Sequence, residues 1–222
     1  MTQIKQGGGS TFGVILSATF KTVPIPFMAW LHFEITQTPA NISAFWLATA
    51  YFHSQLPSLV RNGVMGYYNI SSIVPTNPAT PLQLAGGFWI LNSTTTTLDA
   101  VFTPVLNDIR RMFDVGVAYS NQFVPDMYQW WKITYPPGAV AAVDVQLGSR
   151  LLDEAALSVP LPRLANALQT SYPDLVLLGN LVSGPGVWNA QPPGGLGSMT
   201  PAWRKAVVHL SEFSFVVATY EG

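Results

Sequence analysis

Residues 27–36 alternate strictly: Phe27, Ala29, Leu31, Phe33 and Ile35 fall on one side, Met28, Trp30, His32 and Glu34 on the other. Successive side chains of a strand point to opposite faces, so this period predicts a strand with one buried and one mixed face. The spacing then lengthens. Over residues 40–59, Phe45, Leu47, Ala48, Phe52 and Leu56 lie near one helical stripe, which predicts an amphipathic helix. Strands are predicted at 64–74 and 82–91, separated by Pro75-Thr76-Asn77-Pro78. The clearest helix is 95–113, where Leu98, Val101, Phe102, Val105, Leu106, Ile109 and Met112 share a face. Its last turn carries Arg110 and Arg111, which suit the negative end of the helix dipole. The aromatic stretch 123–135 reads as a loop or short helix plus a strand, 160–170 as a helix, 174–183 as a strand and 205–220 as a long final strand. At the start, residues 7–22 (GGGSTFGVILSATFKT) read as a glycine turn feeding a strand. That run lacks the Lys-Ser/Thr ending of a phosphate-binding loop.

This order predicts an α+β fold: an antiparallel β-sheet with helices packed on one face and an open, aromatic-lined face on the other. Trp30, His32, Tyr68, Trp89 and either His209 or Phe213 are expected on the open face, and His53 on a solvent-facing side of its helix.

Composition narrows the function classes. The 222 residues fit a single unit. They are 49% hydrophobic and only 9% charged, against a usual charged share of about 25%. A surface so poor in charge is expected to be covered in part by a partner, and a homodimer is the simplest such partner. The net charge of −1 and the lack of any Lys/Arg cluster argue against nucleic acid. No apolar run is long enough for a membrane span. No secretion signal is visible, so a cytoplasmic location is expected, and the sequons at Asn41, Asn69 and Asn92 read as chance matches or relics of a secreted ancestor. With no cysteine, disulfides and thiolate chemistry are excluded, and no His or carboxylate spacing suggests a metal. No Gly-x-Ser-x-Gly elbow supports hydrolysis.

The candidate chemistry is sparse. His32 and Glu34 lie two apart on one strand and therefore share a face, where they suit acid–base work with Tyr68 or, more plainly, a solvated edge. His209 alternates with Ser211 and Phe213 and points into a cavity or a satisfied core site. Tyr67, Tyr68, Trp89, Trp130, Trp131 and Trp188 supply an aromatic wall, suited to an apolar ligand. Trp30, Trp89, Asn180, Trp188, Asn189 and His209 are the expected substrate contacts.

Four segments together carry a family resemblance. The run 7–22, Gly148-Ser149-Arg150-Leu151, residues 178–184 (LGNLVSG) and residues 200–206 (TPAWRKA) occur here in order. In that order they resemble the substrate domain of fungal berberine-bridge-enzyme-like, FAD-linked oxidoreductases of the vanillyl-alcohol-oxidase superfamily. The resemblance covers essentially the whole chain. It implies one substrate-domain-like unit over residues 1–222, with 1–22 a remnant of the flavin-domain edge and most of the flavin-binding domain lacking. It also implies that the open face is the one that covers flavin and substrate in such enzymes. Asn189 falls near the position where plant members carry an acidic base, and an amide there cannot take a proton at neutral pH.

On this basis the expected function is a stand-alone, flavin-independent cyclisation of a small apolar natural product, pericyclic in the manner of a Diels–Alder reaction, or an isomerisation. No cofactor or metal is expected. The alternatives are a fragment or split subunit of an FAD-dependent oxidase and a non-catalytic carrier of an apolar metabolite.

Overall fold

A computed structural model describes residues 16, 17, 19, 20, 22–38, 41–73, 80–134, 145–172, 176–192, 195 and 199–215. The glycines of the opening run lie outside these residues. Positions 16, 17, 19, 20 and 22–27 carry no regular structure, and Leu16, Phe20 and Val23 are exposed. The strand expected within 7–22 is therefore not observed at positions 16, 17, 19, 20 and 22, and the rest of that run lies outside the described residues.

The strand at Met28–Gln37 (β1) is followed by a helix at Ile42–Arg61 (α1), strands at Met65–Ser72 (β2) and Leu82–Leu91 (β3), and a helix at Thr95–Met112 (α2). Next come a strand at Val115–Val124 (β4), a helix at Met127–Thr134 (α3), a strand at Val145–Asp153 (β5) and helices at Glu154–Leu157 (α4) and Leu161–Thr170 (α5). A strand at Val176–Leu181 (β6), a short helix at Pro185–Trp188 (α6), a 3₁₀ turn at Pro201–Arg204 and a last strand at Ala206–Phe215 (β7) complete the order. The seven strands form one sheet, β4-β1-β3-β2-β6-β7-β5, in which every pair is antiparallel.

Local signals explain the main elements. The Asn41 side chain caps α1 by accepting from the Ala44 N–H, and Thr94 caps α2 by accepting from the Thr97 N–H. Each cap satisfies a backbone donor that the first helical turn leaves unpaired. In β1, Ala29, Leu31, Phe33 and Ile35 are fully buried beneath the helix layer. There Phe33 stacks with Phe52 of α1 and Phe88 of β3 and meets Phe102 of α2. Trp30, His32 and Glu34 emerge on the other face, half-buried. The alternation thus survives over 28–36 as two faces of one strand, whereas Phe27 precedes the strand and is exposed.

Two strands, β4 and β5, have no counterpart in the sequence pattern. They are the edges of the sheet, where one side of a strand has no neighbour. Most described residues of β4 are exposed, so little burial pressure imposes an apolar period. The open face is also not wholly open. The α3 helix lies across one corner, where Met127 and Trp130 pack on Met28, Trp89 and Val124. That cover explains why Met28, on the mixed face of β1, is fully buried.

The structure corrects two placements. His53 faces the sheet from α1 and is fully buried rather than solvent-facing. Tyr68 points to the helix layer, not the open face, and is 1% exposed. Its ring crosses β6 at Gly179, where an added Cβ would lie 2.0 Å from the ring carbon that bears the hydroxyl. On its other side, a Cβ at Gly86 would lie 2.6 Å from the Tyr68 Cβ. Glycines in both neighbouring strands make room for the phenol to reach inward, and its hydroxyl meets His53 Nε2 at 2.7 Å.

Candidate functional site

The antiparallel register carries the open face across the sheet as transverse rows. His32 of β1 is level with Gly87 of β3, which pairs with Tyr67 of β2. Tyr67 pairs with Asn180 of β6, and Asn180 with His209 of β7. Paired residues of antiparallel strands project to the same face, so His32, Tyr67, Asn180 and His209 share one row. The adjacent row runs Trp30, Trp89, Met65, and the next Glu34, Ala85, Asn69.

A cleft of about 350 Å³ lies over β3, with Trp30 and His32 on its β1 side and Tyr67 and Asn69 on its β2 side. Trp89 and Trp130 close one end and Gln83 stands at the other. The aromatic rings touch one another: Tyr67–Trp89 at 5.6 Å, Trp89–Trp130 at 5.6 Å and Trp30–Trp130 at 6.3 Å between centroids. Ring pairs at such distances contribute about 0.5–1.5 kcal/mol beyond their buried area. The Trp89 indole N–H is buried with no hydrogen-bond acceptor among the described residues.

His32 and Glu34 meet at 3.2 Å between Nε2 and Oε1, and both side chains are nearly half exposed. A carboxylate can only accept, so in this pair Nε2–H donates. In the neutral imidazole this leaves Nδ1 as an acceptor, and it makes no hydrogen bond to the described residues. The ring stacks beside Trp30, with centroids 6.0 Å apart.

The expected site residues therefore divide. His32, Trp30 and Trp89 line the cleft, and Glu34 joins them through its hydrogen bond to His32. Asn180 and His209 share its face farther along the row; Asn180 Nδ2 donates to the His209 carbonyl, and the His209 ring packs on Trp203. Tyr68 leaves the site, and its place on the face is taken by Tyr67. Trp188 is elsewhere: its indole N–H donates to the Ala206 carbonyl, and it lines a different depression with Arg61 and Arg204. Asn189 is the C-cap of α6 and lines neither of these clefts. The sequence reading passed over Gly87, Asn69 and Gln83. The signal for Gly87 is a Gly-Gly pair inside a strand pattern, which marks a close approach of another group to the backbone.

In the helix layer, the Tyr68 hydroxyl donates to His53 Nε2, and His53 Nδ1–H donates to the Thr49 carbonyl at 2.7 Å. Burial lowers the His53 pKa to about 4 although the Thr49 contact opposes it, and burial raises that of Tyr68. Both groups are held neutral, on the face away from the cleft.

No protein-family model matches the chain. It is 28% identical over 215 residues to an uncharacterised FAD-linked oxidoreductase of Arthroderma benhamiae, an alignment covering 93% of this chain and 36% of that protein. It is 27% identical to the FAD-linked oxidoreductase apf9 of Gibberella fujikuroi, over 97% of this chain and 38% of that one. Its homologues are fungal FAD-linked oxidoreductases. The chain thus spans little more than a third of the length of these two relatives. Its fold matches part of the VAO-type flavoprotein MtVAO713 of Myceliophthora thermophila, with a TM-score of 0.72 and 20% identity over 84% of this chain and 34% of that one. A xylooligosaccharide oxidase of the same fungus matches over 97% of this chain and 45% of its own, with a TM-score of 0.56 and 18% identity. These likenesses agree with the resemblance in the four segments, and they favour a part of an FAD-linked enzyme over a flavin-independent cyclase.

The donor set of this chain suits only part of such a cofactor. The aromatic cleft can face a planar ring. A pyrophosphate needs cations or a cradle of backbone N–H groups, and no Lys or Arg lines the cleft. The described arginines are largely engaged elsewhere: Arg61 with Glu154, Arg111 with Asp108, and Arg110 and Arg204 with carbonyls. The lining of this cleft therefore fits the wall opposite a flavin ring and not the anchor of its phosphates. Among the described residues no helix is long and apolar enough to cross a membrane, and no cluster of His or carboxylates could hold a metal ion.

Proposed function

We propose that this chain is the substrate-side part of an FAD-linked oxidoreductase and that its substrate lies in the cleft over β3. The observation that carries this reading is the meeting of aromatic rings with a hydrogen-bonded His–carboxylate pair on one sheet face. The relatives add the reaction class. Bound flavin supplies an acceptor for a hydride or electron pair. Everything else falls to this chain's side chains. Trp89, Trp130 and Tyr67 exclude water from an apolar substrate. Glu34 orients the imidazole of His32 and stabilises its positive charge, and Nδ1 takes the proton of a substrate hydroxyl as that group is oxidised.

The test is purification of the full-length protein from its natural host, followed by anaerobic mixing with candidate small alcohols and phenols. The expected outcome is a retained flavin, bleached on mixing with substrate. Protein that turns over a natural-product precursor with no flavin present, and no flavoprotein partner co-purifying, would reject this reading in favour of the cofactor-free cyclisation.

A further inference from the structure

The floor of the cleft has almost no side chains. On the open face of β3, between Gln83 and Trp89, the residues are Ala85 and Gly87, so a strip of bare backbone runs between the side chains of β1 and β2. Neighbouring strands are about 4.8 Å apart, which makes this slot roughly two strand spacings wide and well shaped for a flat group. Trp30 sets how much of it is free. Its indole leans over Gly87, where an added Cβ would lie 2.8 Å from Nε1, 3.4 Å from Cε2 and 3.6 Å from Cζ2. His32 and Trp130 flank the indole at 6.0 and 6.3 Å. A methyl group at Gly87 would force the indole out of this position.

Gly86 and Gly87 differ in what holds them as glycine. A Cβ at Gly86 would meet backbone, 2.3 Å from the Tyr67 carbonyl oxygen and 2.7 Å from the Tyr68 Cα. The three atoms nearest a Cβ at Gly87 all belong to the Trp30 indole, and the backbone there is ordinary extended strand. Gly86 is needed by the fold; Gly87 is needed by the cleft.

We propose that Gly87 is the specificity-determining position of this site. By giving the Trp30 indole room to lie against the β3 backbone, it leaves the rest of the strip free for a planar aromatic ring of the substrate. This rests on the cleft being the substrate site, as proposed above, but its test needs no flavin chemistry. Gly87 is a positioning residue: it acts through Trp30.

The experiment measures binding of 2-naphthol and 1-adamantanol, alcohols of equal carbon count but flat and globular shape, to the full-length protein by equilibrium dialysis and ligand-observed NMR. The parent is expected to prefer 2-naphthol. Gly87→Ala should weaken that preference about tenfold, with the circular dichroism unchanged. In a Trp30→Leu background the same substitution should have no further effect, because both changes act on one contact. Should Gly87→Ala fail to fold, Trp30→Leu alone must change the preference, because it removes the indole that Gly87 positions, and an unchanged preference would overturn the proposal. An unchanged preference in Gly87→Ala, additive effects of the two substitutions, or a parent that does not bind 2-naphthol would each overturn the proposal. Displacement of 2-naphthol by riboflavin would reassign the strip to the flavin ring and overturn it as a substrate determinant. A flavin-free protein that still shows the shape preference would refute the oxidoreductase reading alone.

Discussion

His53 is a base that the fold holds uncharged, and this makes stability depend on pH. Its pKa is about 4 when folded and about 6.5 in an unfolded chain. Between these values the unfolded state binds more protons, so stability rises with pH. The contribution, of order 3 kcal/mol, is fully present above pH 6.5 and is lost as pH falls toward 4. Thermal unfolding should therefore show a melting temperature that drops across this window, and His53→Gln should flatten much of the slope. Tyr68→Phe removes the donor to His53 Nε2 and leaves a buried acceptor unpaired. It should cost about 1–3 kcal/mol in denaturant titrations while leaving ligand binding in the cleft unchanged. At the cleft the expectation reverses. His32→Ala should lower turnover by about 10² with little loss of stability, since its side chain is half exposed. Trp89→Ala should mainly raise KM, because apolar contact is shared by ground and transition states.

The neighbouring strands of β2 show how one element dictates the composition of others. The Tyr68 ring spreads across β6, so residue 179 has no space for even a methyl group. Gly179→Ala should destabilise the protein by several kcal/mol, at or beyond the usual 1–3 for overpacking, read as a shifted urea midpoint or as loss of soluble protein. The LGN triplet thus places one glycine under the core and one amide, Asn180, on the open face. The α3 helix plays the opposite part. It covers Met28 and Trp89 from the face that is otherwise open, and Trp130 is its inward anchor. Trp130→Ala should widen the cleft and weaken the packing of this corner while leaving the helix layer intact. Faster hydrogen exchange confined to α3 and the start of β1 would show this.

Across the whole molecule, the two faces of the sheet do different work. One carries the aromatic core of Phe33, Phe52, Phe88 and Phe102, beneath α1 and α2. The other carries the cleft and a scatter of exposed rings, among them Tyr67. Stability is therefore expected to grade outward from the central strands. Amide exchange should be slowest in β1, β3 and β2, each paired on both sides, and faster in the edge strands β4 and β5. Equal protection of β4 and β3 would contradict this account.

The sequence by itself determined the two-faced strand β1, the amphipathic α1 and α2, the α+β class and the shared face of His32 and Glu34. Each depends only on local period, and β1 and α2 are buried on one side, so their patterns are strong. The flavin-enzyme likeness was also legible, in four short runs. Tyr67 and Tyr68 could not be separated this way, because adjacent aromatics satisfy either register, and only glycines in strands distant in sequence show which ring turns inward. His53 looked solvent-facing because its partners, Tyr68 and the Thr49 carbonyl, are brought to it by the docking of α1 on β2. The edge strands gave little period, since burial that would enforce one is missing. The bare strip on β3 exists only because β1 and β2 flank it with side chains. Position along the chain set the character of each element, and strand order and register decided which residues share a site.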